Sequence, residues 1–196
     1  TAGDVDGDGY IDILVGAHGA DPEGDGEAGE TYVVFGGDFT NAVTHAGTSS
    51  ADTLTGDAAA NVIVAGQGDD VLDGNGGADV LYAAEGDDVL LISDTGFHRV
   101  DGGSGDDTLA LDGSGITLDL TTIADNKVRG LESIDITGSG DNTLTVDVLE
   151  VLNLSDTSNT VVITRNVGDT VDIGSGWSQA GTETIDGSPY LVFTQG

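Results

Sequence analysis

Between Gly47 and Ala110 the chain repeats itself every nine residues. GTSSADTLT, GDAAANVIV, AGQGDDVLD, GNGGADVLY and AAEGDDVLL follow in tandem from Gly47, and GGSGDDTLA resumes at Gly102 after a ten-residue unit, ISDTGFHRVD (92–101). The shared rule is glycine early, an acid at the sixth place and a large aliphatic residue at the eighth. The aliphatic place holds Leu54, Ile63, Leu72, Leu81, Leu90 and Leu109; the acid place holds Asp52, Asn61, Asp70, Asp79, Asp88 and Asp107. A flexible Gly/Asp linker would keep no fixed aliphatic position. A turn plus a short strand, with one inward side chain, needs one.

Two such units make an 18-residue coil with strands on opposite sides. Residues 18 apart then stack along one edge, so Asp52, Asp70 and Asp88 form a column that Asp107 rejoins, and Asn61 with Asp79 form a second. Carboxylates stacked at the strand spacing of about 4.8 Å repel strongly unless a cation lies between them. The whole chain shares that need: 36 Asp and Glu against 4 Lys and Arg give a net charge of −32. The only cations are Arg99, Lys127, Arg129 and Arg165. No basic face exists for nucleic acid, and an anionic membrane would repel the chain. Oxygen donors point to a hard cation, Ca²⁺, with the 33 glycines freeing turn carbonyls to face it. Without Cys there is no disulfide and no thiolate metal site.

These repeats resemble the RTX, or haemolysin-type, calcium-binding repeats of type I-secreted bacterial proteins. The resemblance implies a parallel β-roll with Ca²⁺ bound by Asp52, Asp70, Asp79, Asp88 and Asp107. Asn61 removes one charge from its column. The unit 92–101 lacks the glycines and the acid, and is expected to leave the neighbouring site empty or bulged.

Residues 1–46 form a different unit. Asp4-Val5-Asp6-Gly7-Asp8-Gly9-Tyr10-Ile11-Asp12 sets acids on nearly every second residue with glycines between them. Such a loop wraps oxygens round Ca²⁺, with side-chain ligands Asp4, Asp6, Asp8 and Asp12 and the carbonyl of Tyr10. Its start is like an EF-hand loop, but Val15 stands where that loop needs Glu. The stretches 11–17 and 31–37 read as strands. DVDGDGYIDILVGAHGAD and GETYVVFGG together resemble one FG-GAP repeat, the calcium-binding blade unit of integrin-like β-propellers. A single hairpin-like unit is expected, not a full ring of blades.

Residues 111–196 lose the glycines but keep the strand grammar. Asp107-Thr108-Leu109 is echoed by Asn142-Thr143-Leu144, Asn159-Thr160-Val161 and Asp169-Thr170-Val171. Inward candidates Ile134, Leu144, Leu154, Ile163 and Ile173 fall nine or ten residues apart, which predicts a solenoid of 19 or 20 residues per coil. Asn142 and Asn159 are expected to replace ions with amide ladders. The segment 121–132 is read as a short helix or excursion, and 174–196, with Trp177, Tyr190 and Phe193, as a cap on the open end. The fold class is therefore all-β: a parallel β-roll or β-solenoid after a single FG-GAP unit, in segments 1–46, 47–110 and 111–196.

Catalytic constellations are missing. There is no G-x-S-x-G elbow, no H-E-x-x-H and no phosphate loop, and His18, His45 and His98 lie in separate units. Of the paired acids, such as Asp69-Asp70 and Asp87-Asp88, one is read as the repeat's ligand and the other as a solvated neighbour. No apolar run reaches a membrane span, and no secretory signal opens the chain, which is read as a piece of something larger. Three roles are consistent with this: a calcium-dependent structural module of an extracellular bacterial protein such as an adhesin, the calcium-binding part of a secreted hydrolase, or a self-assembling filament subunit.

Overall fold

The computed structural model describes residues 2–3, 12–17, 30–34, 42–155, 159–185 and 187–195. It divides into two units, Thr1–Ala42 and Val43–Gly196. In the first, Ala2–Gly3, Asp12–Ala17 and Glu30–Val34 form an antiparallel sheet with Asp12–Ala17 in the middle. Gly3 pairs with Asp12, and Ile13 with Val34.

The second unit winds as a parallel solenoid. One face stacks His45–Ala46, Val62–Gln67, Val80–Glu85, Arg99–Ser104 and Val128–Arg129. The opposite face stacks Thr53–Thr55, Val71–Asp73, Val89–Ile92, Thr108–Leu111, Ser133–Asp135 and Val162–Thr164. The chain alternates between the two. Leu54, Leu72 and Leu90 are register partners, as are Ile63 and Leu81, so each coil takes 18 residues. Ile63, Leu72, Leu81, Leu90 and Leu109 are wholly buried, because side chains alternate along a strand and each of these stands on the inward side between two neighbours that point the other way. Leu54, on the first coil, is only half-buried. The ten-residue unit keeps the rhythm with Val100, which pairs with Leu81 and is also fully buried. Its extra residue is absorbed in the turn: 92–98 does the work of 74–79 one coil earlier.

A third face begins at Thr117. Thr117–Asp119, Thr143–Thr145 and Thr170–Asp172 form a separate parallel sheet, with Leu118, Leu144 and Val171 in register. Partners from here on lie much farther apart: Leu109 with Ile134, Val100 with Val128, and Ile134 with Ile163. Those separations run from 25 to 29 residues, so the expected coil of 19 or 20 is wrong. The beat of nine or ten marks successive faces, and there are three per coil instead of two. The wider interior is filled by Ile116, Leu118, Leu120, Leu131, Ile134, Ile136, Leu144, Val146 and Leu154, all buried.

Two further expectations change. Leu154 is inward, but on a helix, Val148–Leu154, which is capped by Asp147 accepting the Leu149 and Glu150 N–H groups. This helix stands where the first face would have its next strand, and its Leu154 carbonyl accepts the Leu131 N–H at 2.9 Å. The segment 121–132 is only partly an excursion: a 3₁₀ turn, Leu120–Thr122, leads back into the first face at Val128–Arg129. In segment 174–196, Trp177–Ile185 and Ser188–Gln195 pair antiparallel with each other; the Tyr190 and Thr164 hydroxyls meet at 3.3 Å on the last strand of the second face, and Leu191 and Phe193 are exposed.

Candidate metal centre

The acid before each strand sits at a corner of the coil, where the backbone turns from one face to the other. Its carboxylate reaches back to the coil before it. Asp52 N–H donates to Asp70 Oδ1 at 2.7 Å, Asp70 N–H to Asp88 Oδ1 at 2.7 Å, and Asp88 N–H to Asp107 Oδ1 at 2.9 Å. The four predicted residues are thus one continuous column. On the other edge Asn61 N–H donates to Asp79 Oδ1 at 2.8 Å, as the 18-residue spacing requires.

Each of these bonds uses only one carboxylate oxygen. The second oxygens of Asp70, Asp88 and Asp107 are buried and accept no hydrogen bond. A buried anionic oxygen without a partner costs several kcal/mol unless a charge meets it. The pKa values carry the same strain. Burial pushes the Asp107 carboxyl up to about 7; the hydrogen bond with Asp88 N–H opposes the rise, and the charges of Asp88, Glu132 and Asp87 add to it. Burial likewise raises Asp88, with Asp70, Asp69 and Asp87 adding to the effect. Asp79 is raised by burial, then by Asp94, Asp57 and Asp73, against the Asn61 N–H bond.

The column ends are satisfied by protein groups. Asp52 Oδ2 accepts Thr48 N–H at 2.6 Å and Thr48 Oγ1 at 2.8 Å, so Asp52 differs from the deeper members of its column. Asn61 Oδ1 accepts Asp57 N–H. At the far end, Asp107 N–H donates to Glu132 Oε2 at 3.0 Å, and Ser155 Oγ donates to Glu132 Oε1. Glu132 lies level with Asp107, since Ser133 pairs with Thr108. It is a column member that sequence reading missed, because the turn before it, 130–132, has lost the glycine pattern. The third face carries a similar ladder. Ile116 N–H donates to Asn142 Oδ1, Asn142 N–H to Asp169 Oδ1, and Asn166 N–H to Asp169 Oδ2. Asn142 thus holds in this ladder the place that aspartates hold in the inner one, and its amide nitrogen donates to the Ile136 carbonyl at 3.1 Å. Asn159 holds no such place: it is exposed, and Val161, not Asn159, is level with Glu132.

The outer acids of the pairs are more than solvated neighbours. Asp87 N–H donates to Asp69 Oδ1 and Asp106 N–H to Asp87 Oδ1, an exposed ladder running opposite to the inner one. One buried acid has its counter-charge built in. Asp101 is held by Arg99 at 2.7 Å and Arg129 at 2.8 Å.

The glycines keep the turns open. Gly66, Ala84 and Gly103 stack in register with φ of 118°, 92° and 105°, a region natural for glycine alone. At Gly74 and Gly102 a Cβ would come within 2.5 and 2.6 Å of Asp79 and Asp107 Oδ2. Among the described residues no three acidic or histidine side chains converge on one point. A cation here would be held by carboxylate oxygens singly or in pairs, together with turn carbonyls. That all-oxygen, high-coordination set suits Ca²⁺. Asp4, Asp6, Asp8 and Tyr10 lie outside the described residues; of Asp12, the backbone alone is described, at the start of its strand.

Family models match in two places. The RTX calcium-binding nonapeptide repeat (4 copies) matches residues 46–81, 55–90 and 98–113, and the FG-GAP repeat matches residues 1–34. No curated protein and no solved structure matches the chain. Both repeats are typical of extracellular proteins, and no helix among the described residues is long and apolar enough to cross a membrane. The two-faced part of the roll thus matches RTX calcium-binding nonapeptide repeats, after a match to one FG-GAP repeat, and the RTX repeats imply a calcium-binding structural module.

Proposed function

We propose that the chain is a calcium-dependent structural module of a bacterial protein that is secreted or displayed at the cell surface, and that Ca²⁺ drives its folding. The observation that carries this reading is the row of buried, unpartnered oxygens on Asp70, Asp88 and Asp107. Without a cation, closing the coils desolvates carboxylates against one another; with one, the same oxygens become ligands and binding energy becomes folding energy. Low calcium inside the cell keeps the chain loose for export, and millimolar calcium outside closes the roll. Its role is mechanical rather than catalytic, as part of an adhesin or extracellular assembly. Far-UV circular dichroism during calcium titration tests this. A coil-to-β transition is expected, reversed by chelator and poorly reproduced by Mg²⁺; a chain equally folded in chelator overturns it.

A second reading has its own support. Val162–Thr164 and Thr170–Asp172 are edge strands of their sheets, as are His45–Ala46 and Thr53–Thr55 at the other end. Open parallel edges accept further strands, so copies stacked end to end would form a filament. Electron microscopy with and without calcium distinguishes filaments from single particles.

A further inference from the structure

Three of the four cations in the chain gather on one side of the roll. Along the first face, the alternation that buries Ile63, Leu81 and Val100 turns their neighbours outward. One outward row runs Val64, Tyr82, Asp101 and Arg129, each the register partner of the next. A second runs Val62, Val80 and Arg99, and Lys127, just before Val128, comes level with Arg99. Arg99 and Arg129 close over Asp101, yet their side chains stay 38% and 48% exposed, and Tyr82 beside them is 39% exposed. Both rows start apolar, and they end in three cations against one buried carboxylate. Of the acids next along the chain, Glu85 accepts the Gln67 amide and Asp125 stands in the exposed turn before Lys127. The fourth cation, Arg165, donates to the Asp169 carbonyl.

A complementary surface lies on the same molecule. Asp69, Asp87 and Asp106 stand exposed, one per coil, at the corner between the first and second faces, joined by the N–H bonds of Asp87 and Asp106. They climb by one strand spacing, about 4.8 Å, per coil, and so do Arg99 and Lys127. We propose that the basic end of the first face docks on this acidic ladder in a second copy of the chain, with Tyr82 shielding the ion pairs from water. Matched pitch favours a copy over a foreign polyanion, and three cations are too few to hold a nucleic-acid backbone against a net charge of −32. In physiological salt the screening length of about 8 Å damps repulsion between whole copies and spares close pairs. Patch and ladder are different surfaces, so each contact leaves one of each unfilled and copies add side by side. This is a flank contact, separate from end-to-end stacking through open strand edges.

Sedimentation velocity of the full chain in saturating calcium, over a concentration series, tests it. Wild type is expected to self-associate, and to separate near about 1 M salt, where the screening length falls to about 3 Å. Lys127→Glu reverses a charge in the patch. Asp106→Lys reverses one in the ladder, which Asp106 joins through its N–H. Each variant alone should need about tenfold more protein to associate. Mixed, they should associate as wild type does, since each brings the surface that the other has lost. Circular dichroism in calcium checks that both fold. Tyr82→Thr, which leaves every charge in place, is a second patch variant and should weaken association about threefold or more. A wild type that stays monomeric overturns the proposal, and so does a monomeric chain whose patch binds poly-glutamate, which gives the patch a different acidic partner. Association that neither charge reversal changes, as end stacking would give, overturns it too.

Discussion

Replacing Asp88 by asparagine should have opposite effects with and without calcium. Asp88 sits between Asp70 and Asp107 in the inner column, with one oxygen bonded to Asp70 N–H at 2.7 Å and the other orphaned. At a strand spacing of about 4.8 Å, each charged neighbour repels it by roughly 3 kcal/mol at an effective dielectric of about 20, before salt screening. Asparagine keeps the acceptor for Asp70 N–H and removes the charge. The calcium-free roll should therefore gain about 1–3 kcal/mol, while losing an anionic ligand should raise the calcium needed for folding about tenfold or more. Asp88→Ala separates charge from hydrogen bonding, because it leaves a buried N–H unpaired at a cost of about 1–3 kcal/mol and so lacks the gain in chelator. Asp87→Asn, one residue away on the exposed ladder, is the control and should shift the calcium midpoint less than about twofold. Folding of the chelated chain driven by a protecting osmolyte, and calcium titration, both followed by circular dichroism, measure the two effects. An Asp88→Asn chain that is less stable than wild type in chelator, or that keeps the wild-type calcium midpoint, would refute the column argument.

Other expectations concern pH, backbone strain and the arginine clamp. Because burial raises Asp107 to about 7, the folded, calcium-free chain holds a proton there that the unfolded chain releases at ordinary carboxylate pH. Calcium-free stability should fall as pH rises from about 4 towards about 7, and calcium should bind more tightly at about pH 8 than at about pH 5.5, with proton release on binding. Titration in two buffers of different ionisation enthalpy detects that proton; equal affinity at both pH values would rule it out. Ala84→Gly should stabilise the chain by about 1 kcal/mol, since relief of a φ of 92° outweighs the added freedom of the unfolded chain. A lower urea midpoint would show that the strain is absent. Arg129→Gln should destabilise by about 1–3 kcal/mol, by a similar amount with and without calcium, because Asp101 is neutralised by protein groups alone. A loss seen only in chelator would tie the clamp to the ions instead.

The two-sided roll could be read from the sequence because its units share one length and one grammar. Leu72 and Leu90, or Asp70 and Asp88, are each 18 apart and turn out to be neighbours. The wider coil could not be read the same way. A nine- or ten-residue beat says how long one face and its corner are, and is silent on how many faces close the turn. Glu132 escaped notice because its motif is trimmed to Gly130-Leu131-Glu132 and an extra methylene spans the gap. The clamp on Asp101 escaped because Arg129 lies 28 residues away in a coil whose length was misjudged. Leu154 was correctly placed inside but on the wrong element: seven residues starting after Asp147 present an inward leucine as readily from a helix as from a strand.

The inner ladder has a direction, and its ends are closed by residues that the inner rungs lack: Thr48, within the first repeat, at the start and Glu132, beyond the last, at the finish. Every rung between them hands its N–H to the next in the same way. Insertion or excision of a whole 18-residue cassette, such as residues 65–82, leaves both terminators with their partners' chemistry unchanged. Length is thus a free variable of this architecture, adjustable in steps of one coil by unequal recombination or by an engineer, whereas a nine-residue step would exchange the two edges and place Asn61 in line with the aspartates.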